Sequence, residues 1–283
     1  VAVLAASGLE AAPIRTDIQV IMEGKRLPFP DAKPFVDENN RTLVPVRFVA
    51  ENLGAKVGWD DAADRVDIWL NGKYIALTIG GKQAIVNGEA MNFDTAAGVK
   101  NNRTFVPLRF VSEALGETVE WDGLSNYVWL GEKKILTPEE KGLSKQPIED
   151  FYKYFPQKET RYLKDFHDNP IKEAIIIKES DLPLQIGPLT IYDVWDNGDN
   201  YIGFRSNGGM NILYLTDDNF YPRLRSEFTP NRERLPDKTG YYYYKKFASA
   251  DDTFLGDKNY RNFKISSVDY IAFDSGEPVL YLL

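Results

Sequence analysis

The chain has 283 residues, with 34 Lys plus Arg against 42 Asp plus Glu, a net charge of −8, one His and no Cys. The length suggests about two domains. Without cysteine there is no disulfide framework and no thiolate metal site, and one imidazole excludes any centre that needs two or three from one chain. The acidic balance argues against a general nucleic-acid binder, while 43% hydrophobic and 13% aromatic residues exclude a disordered chain.

Val1–Pro13 is rich in small apolar residues and ends Ala11-Ala12-Pro13. It reads either as the tail of a secretory signal peptide or as an N-terminal extension, and residues 1–17 are set apart on that basis. No later stretch reaches the ~18 apolar residues of a membrane-spanning helix.

The run Asn39-Asn40-Arg41-Thr42-Leu43-Val44-Pro45-Val46-Arg47-Phe48-Val49-Ala50-Glu51-Asn52-Leu53-Gly54 returns with Arg103 in the place of Arg41, 62 residues on. Both copies continue to Val-x-Trp-Asp, at Val57–Asp60 and Val119–Asp122, and 15 of 22 positions are identical. Such self-similarity marks an internal repeat. In each copy a proline, Pro45 or Pro107, sits where a helix should begin. Val46, Val49, Ala50 and Leu53 make one buried stripe, repeated by Leu108, Val111 and Leu115, and Gly54 and Gly116 stop the two helices of about ten residues.

Strands flank these helices. Glu23-Gly24 and Asn87-Gly88 read as hairpin turns. Val66, Ile68 and Leu70 alternate after the first helix, and Val128 and Leu130 after the second. If these face the helix, Trp69, Tyr127 and Trp129 point away from it. Either each copy covers the other, or these three aromatics form a platform for a sugar ring or a partner. Arg47 and Glu51, like Arg109 and Glu113, lie four apart and can pair across one helical turn. A second reading makes the two arginines anchors for an anionic polymer. The order of elements predicts an antiparallel sheet around short helices in residues 18–136, with repeats of about 18–78 and 79–133.

The motif resembles the copper amine oxidase N-terminal-like, or stalk, domain. The residues that carry the resemblance are Pro45, Arg47, Glu51, Gly54 and Trp59, then Pro107, Arg109, Glu113, Gly116 and Trp121. The resemblance implies a duplicated, non-catalytic accessory module of a secreted or surface-attached protein of a Gram-positive-type bacterium. It does not imply oxidase activity. Copper amine oxidases use three His ligands and a tyrosine in Asn-Tyr-Asp/Glu, but this chain has only His167. Its pairs Asn126-Tyr127, Asn200-Tyr201 and Asn259-Tyr260 precede Val, Ile and Arg. No cofactor and no metal is expected.

Residues 137–170, opening Thr137-Pro138-Glu139-Glu140-Lys141-Gly142, read as a linker with short helices at Ile148–Lys153 and Arg161–His167. Composition shifts after Thr137–Gly142, with 14 of the 16 tyrosines beyond that stretch and four of the five tryptophans before it. Residues 171–283 predict a mainly-β sandwich or barrel, so the fold class overall is α+β. Its strands are expected at 174–177, 189–195, 201–205, 212–215, 241–247, 265–273 and 279–283, with tight hairpins at Asn197-Gly198 and Asn207-Gly208-Gly209.

Chemistry signals here are sparse. Asp193, Asp196, Asp199, Asp217 and Asp218, and then Asp251, Asp252 and Asp257, could hold calcium, but turn formation accounts for them better. Lys164–Asp168 makes His167 a polar helix-end residue. In Tyr241-Tyr242-Tyr243-Tyr244, alternation sends Tyr241 and Tyr243 to one face. With Trp195 and Tyr201 they are the candidate ligand-binding residues of this half. The leading reading is a non-catalytic exported protein that presents a domain for a cell-wall glycan or an extracellular protein, with no nucleic acid as partner. The rivals are a carboxylate-dependent extracellular hydrolase and a purely structural oligomerising module.

Overall fold

In the computed structural model of the protein, the described residues are 17–155, 163–165, 167–198, 201–216, 223–227, 235–246, 260–273 and 279–282. They form two compact units that divide between Lys134 and Ile135. The signal-peptide reading, nearly all of it before Asp17, and Arg161, Tyr162 and Phe166 of the proposed helix Arg161–His167 lie outside the described residues.

In chain order the first unit contains β1 (Gln19–Met22), β2 (Lys25–Arg26), β3 (Phe35–Val36), β4 (Thr42–Pro45), α1 (Val46–Asn52), β5 (Lys56–Asp60), β6 (Arg65–Leu70) and β7 (Lys73–Thr78). There follow β8 (Gln83–Val86), β9 (Glu89–Asn92), β10 (Gly98–Lys100), β11 (Arg103–Pro107), α2 (Leu108–Glu113), β12 (Val119–Asp122) and β13 (Tyr127–Leu130). Both copies run hairpin, hairpin, helix, hairpin, and β7 is extra.

Turn chemistry sets the hairpins. Glu23-Gly24 and Asn87-Gly88 have positive φ at both positions, as the two-residue turn of a twisted hairpin requires. Asn71-Gly72, not singled out from the sequence, makes the same turn between β6 and β7, and Asn101-Asn102 does so between β10 and β11. The prolines act one residue earlier than expected. Pro45 and Pro107 are extended (ψ 110° and 143°), so each ends a strand and caps the helix instead of starting it. The helices have seven and six residues, shorter than the predicted ten, with Gly54 and Gly116 beyond them at φ 86° and 83°.

The two repeats, about 18–78 and 79–133, interleave. β4 and β11 pair antiparallel, and Val44 stands opposite Val106, its own counterpart in the second copy. A local two-fold axis therefore passes through that pair. The sheet β12-β13-β1-β2 joins the second copy's last hairpin to the first copy's opening hairpin, while β5-β6-β7-β8-β9 makes the reverse exchange. Closing the first of these sets β1 parallel to β13, in register from Gln19↔Tyr127 to Met22↔Leu130. This departs from the all-antiparallel expectation. In the second, β7 intervenes and each neighbour is antiparallel. One core results, in which Val46, Val49 and Ala50 of α1 meet Phe110, Val111 and Ala114 of the α2 region. Each large aliphatic side chain fully buried there contributes about 1.5–3 kcal/mol.

The second unit contains β14 (Lys145–Pro147), β15 (Glu173–Ile177), β16 (Leu184–Ile186), β17 (Leu189–Asp196), β18 (Tyr201–Ser206), β19 (Ile212–Thr216), β20 (Arg223–Arg225), β21 (Gly240–Lys245), β22 (Val268–Phe273) and β23 (Val279–Leu282). It is a sandwich. The sheet β16-β17-β18-β21 and the sheet β14-β15-β23-β22-β19-β20 enclose a core from Ile191 and Phe204 on one side to Ile212, Ile271 and Val279 on the other. Alternate residues of the larger sheet, Leu213, Leu215, Ala272 and Leu280, pack against Ile148, Phe151, Tyr154 and Phe155. Both faces of that sheet are covered, which explains its unbroken apolar runs.

Two expectations change here. Residues 137–170 are not a free linker, because β14 pairs with β15 and the 3₁₀ segment Ile148–Tyr154 covers the sheet. Asn207-Gly208-Gly209 is not a hairpin either. It carries the chain from β18 in one sheet to β19 in the other.

Candidate functional site

The repeated motif places its charged residues on the surface. Arg47 reaches Glu51 at 4.0 Å and Arg109 reaches Glu113 at 3.7 Å. These half-exposed pairs are worth a few tenths of a kcal/mol at most. Arg109 also lies 3.6 Å from Asp94, which binds Arg41 at 2.7 Å. Trp59 and Trp121 remain 41% and 43% exposed, and the Trp59 indole N–H donates to Asp61.

The three proposed platform residues of this unit separate. Trp69 is 43% exposed, whereas Tyr127 and Trp129 are fully buried. They point away from the helix as alternation required, but their side of the sheet is covered. The two rings meet edge to face at 6.0 Å, with Arg26 donating to the Tyr127 hydroxyl at 2.8 Å. No ligand can reach them, so they are core and not platform.

Trp69 sits in a polar setting. Its indole passes over Gly58, where an added Cβ would meet the ring at 3.2 Å, and Tyr74 flanks it at 5.7 Å. Beside it Asp67 accepts from Arg65 Nε at 2.8 Å and from the Tyr74 hydroxyl at 2.7 Å. Burial pushes the Asp67 carboxyl up, but these hydrogen bonds outweigh it and hold the group below the usual carboxylate range.

The second unit brings its four predicted residues together. Trp195, Gly203 and Tyr243 stand in one cross-strand row, with Asp193, Arg205 and Tyr241 in the next row on the same face. Gly203 is what allows the arrangement. The Trp195 indole lies over the place where any side chain would put its Cβ. Tyr241 and Tyr243 stand perpendicular to the indole at 5.8 and 6.2 Å, and Tyr201 meets Tyr243 at 6.5 Å. The result is a flat indole walled by upright tyrosines. Burial, then the neighbouring Tyr241, raises the Tyr243 hydroxyl above its ordinary value, keeping it a neutral donor.

No sequence pattern singled out the buried arginine on this face. Arg205 is 1% exposed, donates Nε to Thr239 at 3.2 Å and Nη2 to Asp237, and lies 4.7 Å from the centre of the Tyr192 ring. Burial raises the Asp237 carboxyl, but hydrogen bonds from Thr239 and the Arg205 charge more than reverse it. Arg223 and Arg225 are buried too. Their alternation around Leu224 was the available signal, but charged residues at period two ordinarily read as a solvated face.

Of the two acidic groups, only Asp193 and Asp196 lie among the described residues. Asp196 holds the Lys246 ammonium at 2.7 and 2.8 Å, and Asp193 is buried. Asp199, Asp217, Asp218, Asp251, Asp252 and Asp257 lie outside the described residues. Among the described residues no group of three or more His, Cys, Asp or Glu is placed to hold a metal. His167 is exposed, and its backbone N–H donates to Asp165 at 2.8 Å.

The geometry thus defines a β-rich protein of two units, with Trp59, Trp69 and Trp121 exposed on the first and a partly buried Trp195 on a sheet face of the second. Residues 21–130 match the family model of the copper amine oxidase N-terminal domain, a non-catalytic stalk-type domain. Over 79 residues, 28% of the chain, the sequence is 28% identical to the primary amine oxidase of Klebsiella aerogenes. The match covers 10% of that enzyme, so the chain spans about a tenth of the length of this curated relative. The aromatic face of the second unit lies outside the family match.

Proposed function

We propose that the chain is a non-catalytic, exported, surface-associated protein of a Gram-positive-type bacterium whose stalk unit carries a glycan-binding second unit. The observation that carries the binding role is Trp195 laid over Gly203 between Tyr241 and Tyr243. The accessible part of the Trp195 indole, with the half-buried Tyr241 beside it, offers an apolar surface for the C–H face of a sugar ring, and the buried Tyr243 holds the indole in place. The exported location is supported by the stalk resemblance of residues 21–130.

The test is binding of the full chain to a glycan array and to peptidoglycan, with Trp195→Ala and Gly203→Ala alongside. Gly203→Ala keeps every aromatic and only displaces the indole. Loss of binding in both variants, with melting curves still cooperative, supports the reading. Wild-type protein that binds no glycan overturns it, and release of reducing ends from a bound glycan would establish the hydrolase instead.

A further inference from the structure

We infer that the first copy of the repeated motif forms a second binding site, on the stalk itself, for an anionic saccharide. A cleft of about 410 Å3 opens where the start of α1 meets β5–β6 and the β10–β11 turn. Trp59, Val57 and Val66 give it an apolar wall, while Arg47, Asn102 and Arg103 supply donors. No carboxylate lines it, in a chain of net charge −8. The cleft is composite, since Arg103 belongs to the second copy and Arg47 and Trp59 to the first. The inference is independent of the aromatic face of the second unit.

The second copy shows how the site would be filled. There Arg41 and Arg109 are the counterparts of Arg103 and Arg47, and Asp94 Oδ2 reaches both, at 2.7 and 3.6 Å. The protein's own carboxylate thus occupies the position between the two arginines. Phe93, which precedes Asp94, packs edge to face on Phe110 as Phe29 does on Phe48. That match aligns Asp94 with Pro30, and among the described residues no single carboxylate of the first copy reaches both Arg47 and Arg103. Asp31, one residue on, accepts from Nε and Nη2 of Arg103 and orients that guanidinium alone. Arg47 has only Glu51, at 4.0 Å, and its side chain is 49% exposed.

The site therefore takes a sugar ring against Trp59 with its carboxylate or phosphate between Arg47 and Arg103. Charge-assisted, planar recognition of this kind suits arginine. The probes are a galacturonate oligomer, glucose 6-phosphate and neutral maltohexaose, titrated into the full chain by calorimetry and by indole N–H shifts in NMR. The charged probes are expected to bind and to weaken with salt, and which of them binds tighter identifies the anionic group. Arg47→Gln and Pro30→Asp, the latter restoring the second copy's carboxylate, should each weaken binding about ten-fold or more. Arg109→Gln and Trp195→Ala should leave it unchanged. Neutral and charged oligomers binding alike, no binding of either charged probe, or wild-type affinity in both Arg47→Gln and Pro30→Asp would overturn the proposal. So would loss confined to Trp195→Ala, which would assign the ligand to the second unit and leave the glycan reading of that unit standing.

Discussion

The two copies of the stalk motif share their inner residues and differ in what their outer sheet faces do. In the first copy the outer face of β6 carries Arg65, Asp67 and an exposed Trp69; Asp67 accepts from Arg65 and from the Tyr74 hydroxyl, and the Trp69 ring lies beside Tyr74. In the second copy the places of Arg65 and Asp67, 62 residues on, are taken by Tyr127 and Trp129, both fully buried. One outer face keeps an exposed tryptophan beside a polar network, and the other carries two fully buried aromatics. Repetition therefore preserved the pattern that fills the shared interior and left the outer faces free to diverge.

The largest effect should come from erasing that divergence. Trp129→Ala is expected to cost about 3–5 kcal/mol in urea unfolding of the full chain, as for other buried large-to-small changes. Trp69→Ala should cost about 1 kcal/mol or less. Similar costs for the two would show that the faces are equally covered.

The next effect sharpens the contrast between the tryptophans that lie over glycines. Gly203→Ala forces a Cβ into the Trp195 ring and should cost about 1–3 kcal/mol in the same unfolding measurement. Gly58→Ala meets only the outer edge of the exposed Trp69, at 3.2 Å, and should cost well under about 1 kcal/mol.

Acid separates the copies further. The Asp67 carboxyl is held below its ordinary value, so the stability it adds is present above the unfolded carboxylate pKa. That stability is lost as pH falls through the lowered folded value. Asp67→Asn should therefore shrink the drop in melting temperature between neutral and strongly acid pH. An undiminished drop would mean that the Arg65–Asp67–Tyr74 network contributes nothing. The smallest effect belongs to the helix pairs. Arg47→Ala should change the melting free energy by a few tenths of a kcal/mol. Arg109→Ala, which also releases Asp94, should cost measurably more than Arg47→Ala, and equal values would deny Asp94 its bridging role.

Much of this molecule was legible in its sequence, for local reasons. The paired copies, the prolines at the helix starts, the glycines that end the helices and the Asn-Gly turns depend on backbone conformations that single residues dictate. Alternation likewise put Tyr241 and Tyr243 on one face, because strand period is two, whereas the pairing of β17, β18 and β21 decided that Trp195 and Tyr201 join them. Alternation says which way a side chain points but not what lies across from it. Tyr127 and Trp129 could therefore be placed on an outer face without its burial being visible, and Arg205 could not be recognised as interior. Nor could spacing show that Val44 meets Val106, or that β1 closes a sheet with β13. Those pairings join residues far apart in the chain, and the shared core that favours them exists only once both copies have folded together.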